Sequence, residues 1–304
     1  MKLRRLGEDR LLKQLLPSLG KSASVITGAG DDCAVVRFGR RGDDLLLKCD
    51  CVVEGVHFAP KTPPEAVGWK AMMRSLSDFA AMAGWPQYAL ITLMAPPRTE
   101  SKWVKGVYRG LKKAAAQFDV VIVGGETSST PGPVAISVAV TGFVERGRAV
   151  LRSGGRAGDA LLVTGRLGGS IGGHHLRFEP RIREARWLAA HAAVHAMMDL
   201  SDGLGADLPR LAEASGVGFE IDRESLPRNK GVTIPRAISD GEDYELLFTV
   251  AQGHEQAVIK AVQAATSTPV TVIGSILPIE EQKLLLHLDG HQEELCSESW
   301  DHLK

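Results

Sequence analysis

The chain lacks any stretch of about eighteen uncharged apolar residues, the length a helix needs to cross a bilayer, so no transmembrane helix is expected. It also lacks a charge imbalance. Lys+Arg and Asp+Glu are both 36, which removes any general pull toward nucleic acid or an anionic membrane. An anionic ligand must then be met by local groups or by metals. No secretory leader is evident. "MKLRRLGEDRLLKQLLPSLG" interrupts its apolar residues with Glu8, Asp9 and Lys13, and no small-residue cleavage site follows. The segment reads instead as an amphipathic helix through Leu11, Leu12, Leu15 and Leu16, stopped by Pro17. Cysteine is scarce: Cys33, Cys49, Cys51 and Cys296. Without an export signal they point to a reducing cytoplasm. Cys49 and Cys51 would share one face of a strand, and no second Cys/His pair has ligand spacing, so they read as strand residues. Walker A, the kinase H-R-D and D-F-G set and the G-x-S-x-G elbow are all missing.

What is present fits an ordinary soluble globular protein, with 44% hydrophobic and 24% charged residues over 304 positions, enough for two domains. Apolar β-rich runs recur at 44–53, 88–95, 120–125, 134–144, 160–165, 245–250 and 270–276. Helical patterns lie between them, in "PPEAVGWKAMMRSLSDFAAM", "ESKWVKGVYRGLKKAAAQF", "PRIREARWLAAHAAVHAMM" and "DGLGADLPRLAEASG". The mixture predicts a mixed fold, α/β or α+β. The Gly- and Arg-rich stretch 144–159 is the best boundary, giving an N-terminal domain over 1–147 and a C-terminal domain over 148–304.

The carboxylates collect in short stretches beside glycine or serine: "GDD" (Asp31, Asp32), "CDC" (Asp50), "LSD" (Asp78), "GGET" (Glu126), "MDLSDG" (Asp199, Ser201, Asp202) and "DGEDYE" (Asp240, Glu242, Asp243). Any one of them reads as a solvated turn or a helix N-cap, and "LSDG" before "LGADL" is a good cap. Together they suggest several hard cations bridging phosphate oxygens, because phosphoryl transfer needs that charge neutralised and aligned. Asp199 and Asp202 stand at i and i+3, so on a first helical turn both would face one site. "GRLGGSIGG" (165–173) follows a strand and could approach phosphate through backbone N–H groups, although a flexible linker reads the same way.

The ordered series "LGEDRLL", "GAGDDCAVV", "CDCVVEGVHF", "SLSDFAAMAG", "VGGETS", "GRAVLRSGGRAGDALLVTG", "MDLSDGLGADL", "DGEDYELLFTV" and "SWDHL" resembles the thiamine-monophosphate kinase family, from Leu6 to Leu303. That family falls in the superfamily of aminoimidazole-ribonucleotide synthetase, selenophosphate synthetase and the hydrogenase-maturation dehydratase. The resemblance implies a two-domain α+β fold that dimerises through a sheet of the N-terminal domain. It implies direct in-line, Mg²⁺-assisted transfer from ATP to thiamine monophosphate in the cytoplasm, with no nucleic-acid or membrane partner. By motif, it implies that Asp32, Asp50, Asp78, Glu126, Asp199 and Asp202 hold magnesium. Gly124, Gly125, Thr127, Arg152 and Ser201 would meet ATP. His57, Glu242 and Trp300 would meet thiamine monophosphate, with Trp300 stacked on its rings. No covalent nucleophile is implied.

The chain departs from the family pattern at several positions. Lys48 and Cys49 precede Asp50 where Ser or Thr is usual, and Lys48 reads as a solvated strand-end lysine, with a phosphate contact as the alternative. Arg74-Ser75 stands where a small residue and Asn are usual, and Ala83-Gly84 where Gly-Ala is usual. Glu126 replaces Asp, and Asp240 replaces Gly. Two other readings stay open. One is a catalytically weak ATP-binding paralogue. The other is a related enzyme acting on another small phosphorylated substrate. A selenophosphate enzyme would want a Cys in an N-terminal glycine-rich loop, and Cys33 sits inside the GDD motif instead.

Overall fold

The computed structural model describes residues 8–15, 22–37, 42–280, 284–286 and 292–294, and sets two sheets around one long, buried helix. After helix α1 (Glu8–Leu15), the first half contributes strands β1 (Val25–Thr27), β2 (Ala34–Arg37), β3 (Asp43–Val53), β4 (Trp85–Ala95), β5 (Val121–Ser129) and β6 (Ala135–Glu145). They form a six-stranded sheet in the order β1-β2-β3-β6-β4-β5. All neighbours are antiparallel except β4 and β5, which run parallel because helix α3 (Ser101–Gln117) carries the chain across between them.

Residues of β6 alternate between buried and half-buried, with Ile136, Val138 and Val140 turned inward, the pattern of a sheet covered on one face. The cover is helix α2 (Pro64–Ala81), backed by α3. These two helices meet backbone to backbone. A Cβ at Gly68 would lie 2.0 Å from the Val107 carbonyl oxygen, and one at Gly110 would lie 2.0 Å from that of Glu65. Only glycine permits so close a crossing.

The second half contributes β7 (Ala160–Thr164), α4 (Ile182–His191), β8 (Val194–Asp199), α5 (Leu204–Ser215), β9 (Gly218–Asp222), α6 (Ile234–Ser239), β10 (Leu246–Val250), α7 (Glu255–Thr266), β11 (Val270–Leu277), β12 (Leu284–Leu286) and β13 (Gln292–Glu294). Its seven-stranded sheet has the order β13-β12-β9-β11-β7-β10-β8. Every residue of β7 and β10 is buried. Leu162, Met197 and Phe248 pack into the core around α2 and the first sheet. Leu161, Met198 and Leu247 point the other way, against Leu204, Leu208 and Leu211 of α5. The two halves therefore share one core, and α2 touches β3, β6, β8 and α4 at once. None of the described helices is long and apolar enough to cross a membrane.

One expected helix is shorter than its pattern. The helical reading of 180–198 ends at His191, and Val194–Asp199 forms strand β8 against β10. A strand buried on both faces gives a continuous apolar run, which cannot be told from a buried helix by periodicity.

Candidate active site

Helix α2 carries a polar stripe through the shared core. Lys70, Arg74, Ser77 and Asp78 stand at i, i+4, i+7 and i+8, hence on one face. That face looks toward the ends of β3 and β8 and the loop before β2. Carboxylate oxygens of Asp32, Asp78 and Asp199 come within 4.8 Å of one another there, and all three residues are buried. Burial and the neighbouring Asp32 push Asp199 up to about 7, although the Ser77 hydroxyl donates to its Oδ2 at 2.5 Å. Burial likewise holds Asp78 well above the carboxylate range. Three crowded, water-excluded carboxylates presenting oxygen donors alone fit a hard divalent cation such as Mg²⁺.

Basic side chains balance this charge. Arg152 donates Nε to Asp32 Oδ2 at 3.0 Å and Nη2 to Oδ1 at 2.8 Å. Its backbone N–H faces the Asp31 carboxylate, at 3.2 Å from Oδ2. The adjacent aspartates of "GDD" are thus separated in role, one on a guanidinium and the other on backbone. Asp31 also accepts the Asp32 N–H, and burial followed by repulsion from Asp32 raises it to about 6.

Lys48 is not a solvated strand-end residue. It lies inside β3, paired across the sheet with Val140, and its Nζ sits 2.6 Å from Asp78 Oδ1 and 3.7 Å from Asp50 Oδ1. Burial works against its charge, and Asp78 and Asp50 outweigh burial, so its pKa is raised. Burial pushes Asp50 up, but the charges of Lys48 and Arg74 outweigh it and leave Asp50 below its ordinary value.

Asp202 stands apart from the three clustered aspartates. Asp199 ends β8, whereas Asp202 lies in the turn before α5, so the two do not share a helical turn. Asp202 Oδ2 receives Arg210 Nη1 at 2.5 Å. The cap expected in "LSDG" falls on Gly203, and Asp207, from within the helix, accepts the backbone N–H groups of Ser201 and Asp202, each at 3.0 Å. Burial and the charge of Asp202 raise Asp207 to about 8.

The loop "DGEDYE" is stitched to "DLSD" by main-chain bonds. Glu242 N–H donates to Ser201 O at 2.7 Å, and Tyr244 N–H to Leu200 O at 2.8 Å. The glycine-rich loop lies on its other side. Its N–H groups at Gly168 and Gly169 go to the carboxylates of Asp243 and Asp240, so at these two positions they hold the acidic loop and do not face a phosphate. Glu242 Oε2 meets Lys70 Nζ at 2.6 Å, and the same Nζ donates to His57 O at 2.5 Å. His57 Nδ1 accepts the Val53 N–H at 3.0 Å, which assigns the ring proton of the neutral imidazole to Nε2.

Strand β5 carries Gly124, Gly125, Glu126 and Thr127 at the sheet edge, all exposed. A Cβ on Gly125, at φ +154°, would come within 1.8 Å of the Ile91 carbonyl oxygen, so close strand pairing alone requires glycine there. The register Asp50–Val138–Ile91–Gly125 puts Asp50 on the inner face, and Glu126, one residue on, belongs to the row of Cys51, Ser137 and Thr92 on the open face. Thr127 lines a cavity of about 480 Å³ with Leu93, Val104 and Lys105. Trp300 lies outside the described residues.

The site therefore gathers Asp32, Asp78 and Asp199, with Asp50 beside them and Asp202 flanking. Lys48 and Arg74, noted in the sequence only as departures from the family pattern, join it, and Lys70 and Arg210 join it without having stood out there. The polar stripe on α2 was the available signal for Lys70 and Arg74. The buried carboxylates of this arrangement can bind divalent cations, which in turn can meet phosphate oxygens.

Comparison with known proteins agrees with this geometry. Residues 30–144 match the N-terminal domain of AIR synthase related proteins, and residues 156–286 match their C-terminal domain. The chain is 38% identical to thiamine-monophosphate kinase of Rhodopirellula baltica, with 89% of each chain covered. It is 31% identical to thiamine-monophosphate kinase of Bacillus subtilis, with 98% of this chain and 100% of the relative covered. Among solved structures, AaThiL complexed with AMPPCP and TMP superposes with a TM-score of 0.84 at 33% identity, covering 99% of both chains.

Proposed function

Since the chain belongs to the thiamine-monophosphate kinases of the AIR synthase related family, we propose that it transfers the γ-phosphoryl group of ATP to thiamine monophosphate, giving ADP and thiamine diphosphate. It is a phosphotransferase whose acceptor is itself a phosphate group. The observation that carries the reading is the convergence of Asp32, Asp78 and Asp199 from both halves of the chain onto one buried point.

Magnesium held there by Asp32, Asp78 and Asp199, with Asp50 and Asp202 as further ligands by motif, would neutralise and align the phosphate oxygens, whereas Glu126, on the open face, is a ligand by motif only. Arg152 supplies a planar two-nitrogen fork suited to a nucleotide phosphate. Ser201 carries the main chain on which the acidic loop is stitched. Thr127 borders the cavity at the ends of β4 and β5, and with Gly124 and Gly125, which belong to the nucleotide contacts by motif, it would take part of the nucleotide. His57 and Glu242 would hold the acceptor, and by motif Trp300 would stack on its rings. The described residues offer dense carboxylates and no activated nucleophile, which favours direct in-line transfer.

The open face of the first sheet exposes Leu47, Tyr88, Leu90 and Val121, and this surface would pair two copies in a homodimer in the cytoplasm. ADP release and thiamine diphosphate formation, followed together with ATP, Mg²⁺ and thiamine monophosphate, test the reading. ATP binding without turnover on any phosphorylated acceptor would assign the weak paralogue instead. Labelling of the protein by γ-labelled ATP without acceptor would rule out direct transfer.

A further inference from the structure

Lys70 is the largest fully buried side chain in the first half that carries a charge. It sits in the middle of α2 with no exposed surface. Lysine is rarely sealed in this way, because taking an ammonium out of water is costly unless its donors are met. Two of them are met, and each by a residue that the family pattern places on the acceptor. One goes to the His57 carbonyl at 2.5 Å, from the turn after β3. The other goes to Glu242 Oε2 at 2.6 Å, from the loop before β10, 172 positions away in sequence.

Glu242 needs such an anchor. Its φ is +63°, a left-handed conformation that a residue with a Cβ adopts at a cost, and Tyr244 nearby is held at +53°. The Glu242 main chain is fixed by Ser201 O and by the Ser170 hydroxyl, which donates to the Glu242 carbonyl at 2.6 Å. The side chain is fixed by Lys70. The same ammonium therefore sets both the depth of the His57 turn and the direction of the Glu242 carboxylate, one from each half of the molecule.

We propose that Lys70 is a positioning residue for the phosphorylated acceptor: it bolts the His57 turn to Glu242 across the two halves and so sets the geometry in which thiamine monophosphate is held. This rests on the reading of His57 and Glu242 as acceptor contacts. The role is separate from the nucleotide, whose expected partners Arg152, Ser201 and Thr127 make no contact with Lys70 in the hydrogen bonds described. Burial holds the Lys70 ammonium down at about 8, against the pull of Glu242, which agrees with a group fixed in place rather than solvated.

The test uses the full-length enzyme. Lys70→Met keeps the length of the side chain and removes the ammonium. It should raise the KM for thiamine monophosphate about tenfold to a hundredfold, the effect of losing hydrogen bonds to a charged group, while the KM for ATP stays within about threefold. Calorimetric binding of thiamine monophosphate without ATP should weaken by the same factor. In Lys70→Ala, ethylammonium should restore part of that affinity and the guanidinium ion should not. Glu242→Gln tests the underlying site by itself. An unchanged KM for thiamine monophosphate in Glu242→Gln overturns the acceptor assignment. A weakened Glu242→Gln beside a folded Lys70→Met of normal acceptor affinity overturns the role of Lys70. If Lys70→Met does not fold, the Lys70→Met/Glu242→Gln pair removes both charges together. An acceptor affinity no worse than that of Glu242→Gln alone then bears the proposal out, and a loss clearly beyond that of Glu242→Gln overturns it.

Discussion

Arg152 closes on Asp32 with two guanidinium nitrogens, at 3.0 and 2.8 Å, and brings a residue that follows the first sheet onto a carboxylate between its first two strands. The pair is nearly shielded from water, with Asp32 fully covered and a fifth of the Arg152 side chain exposed. Such a bidentate contact is the one an incoming phosphate would take over. Arg152→Ala should raise the KM for ATP by about tenfold or more and leave the KM for thiamine monophosphate almost unchanged. Steady-state kinetics with each substrate varied in turn checks this. An unchanged KM for ATP would confine Arg152 to a structural ion pair.

Lys48 occupies the space between Asp50 and Asp78, where its ammonium stands as a fixed cation. Replacing it with threonine removes one positive charge and leaves two carboxylates facing each other. Lys48→Thr should therefore bind Mn²⁺ more tightly, by about tenfold, in electron paramagnetic resonance titrations of the nucleotide-free protein. Equal or weaker Mn²⁺ binding would mean that Lys48 does not compete with a metal for these carboxylates.

The open face of the first sheet offers a third test. Leu47, Tyr88 and Val121 share one row across it, and Leu90 lies in the next. A charge in the middle of a face-to-face pairing would be desolvated without a partner. Leu90→Asp with Val121→Asp should shift the protein from dimer to monomer in sedimentation velocity, with far-UV circular dichroism retained. A dimer that survives both changes would place the interface elsewhere.

Much of this site was readable because carboxylates stand beside glycine and serine at element ends, where a chain turns and a ligand can approach. Asp32, Asp78 and Asp199 each carry that local mark, and Asp50 sits in a strand whose apolar neighbours make its charge conspicuous. The strand 135–145 was readable because one face is buried and the other is not. Val194–Asp199 was not, because both faces are buried and its period vanishes. Lys70 was missed for a different reason. A lysine in a helix reads as a solvated residue, and nothing nearby in sequence reveals a partner 172 positions away. Asp207 was hidden in the same way, since it caps its helix from inside. Glu126 shares the mark of the other acidic stretches, but the two-residue period of β5 turns it to the open face, and such a period becomes a direction only once the sheet order is known.

Asp243 gives a pH test. Its side chain is buried between the acidic loop and the glycine-rich loop, where both carboxylate oxygens lie near the Gly168 N–H, at 3.0 and 2.9 Å. Burial raises it to about 8. The Gly168 hydrogen bond pulls the other way, and Glu245, Asp240 and Asp207 add repulsion. The folded protein therefore holds a proton here across a range in which the unfolded chain has released it. By linkage, the stability that this proton supplies is fully present below the ordinary carboxylate value near 4 and is lost as pH rises through about 8. The slope cannot exceed ~1.4 kcal/mol per pH unit for a single proton. Asp243→Asn keeps an oxygen to accept the Gly168 N–H and has nothing to titrate. Its melting temperature should fall less than that of the parent between roughly pH 5 and pH 9, and the two curves should separate most on the alkaline side. Parallel melting curves across that range would show that Asp243 carries the same charge in both states and would remove it as a source of alkaline instability.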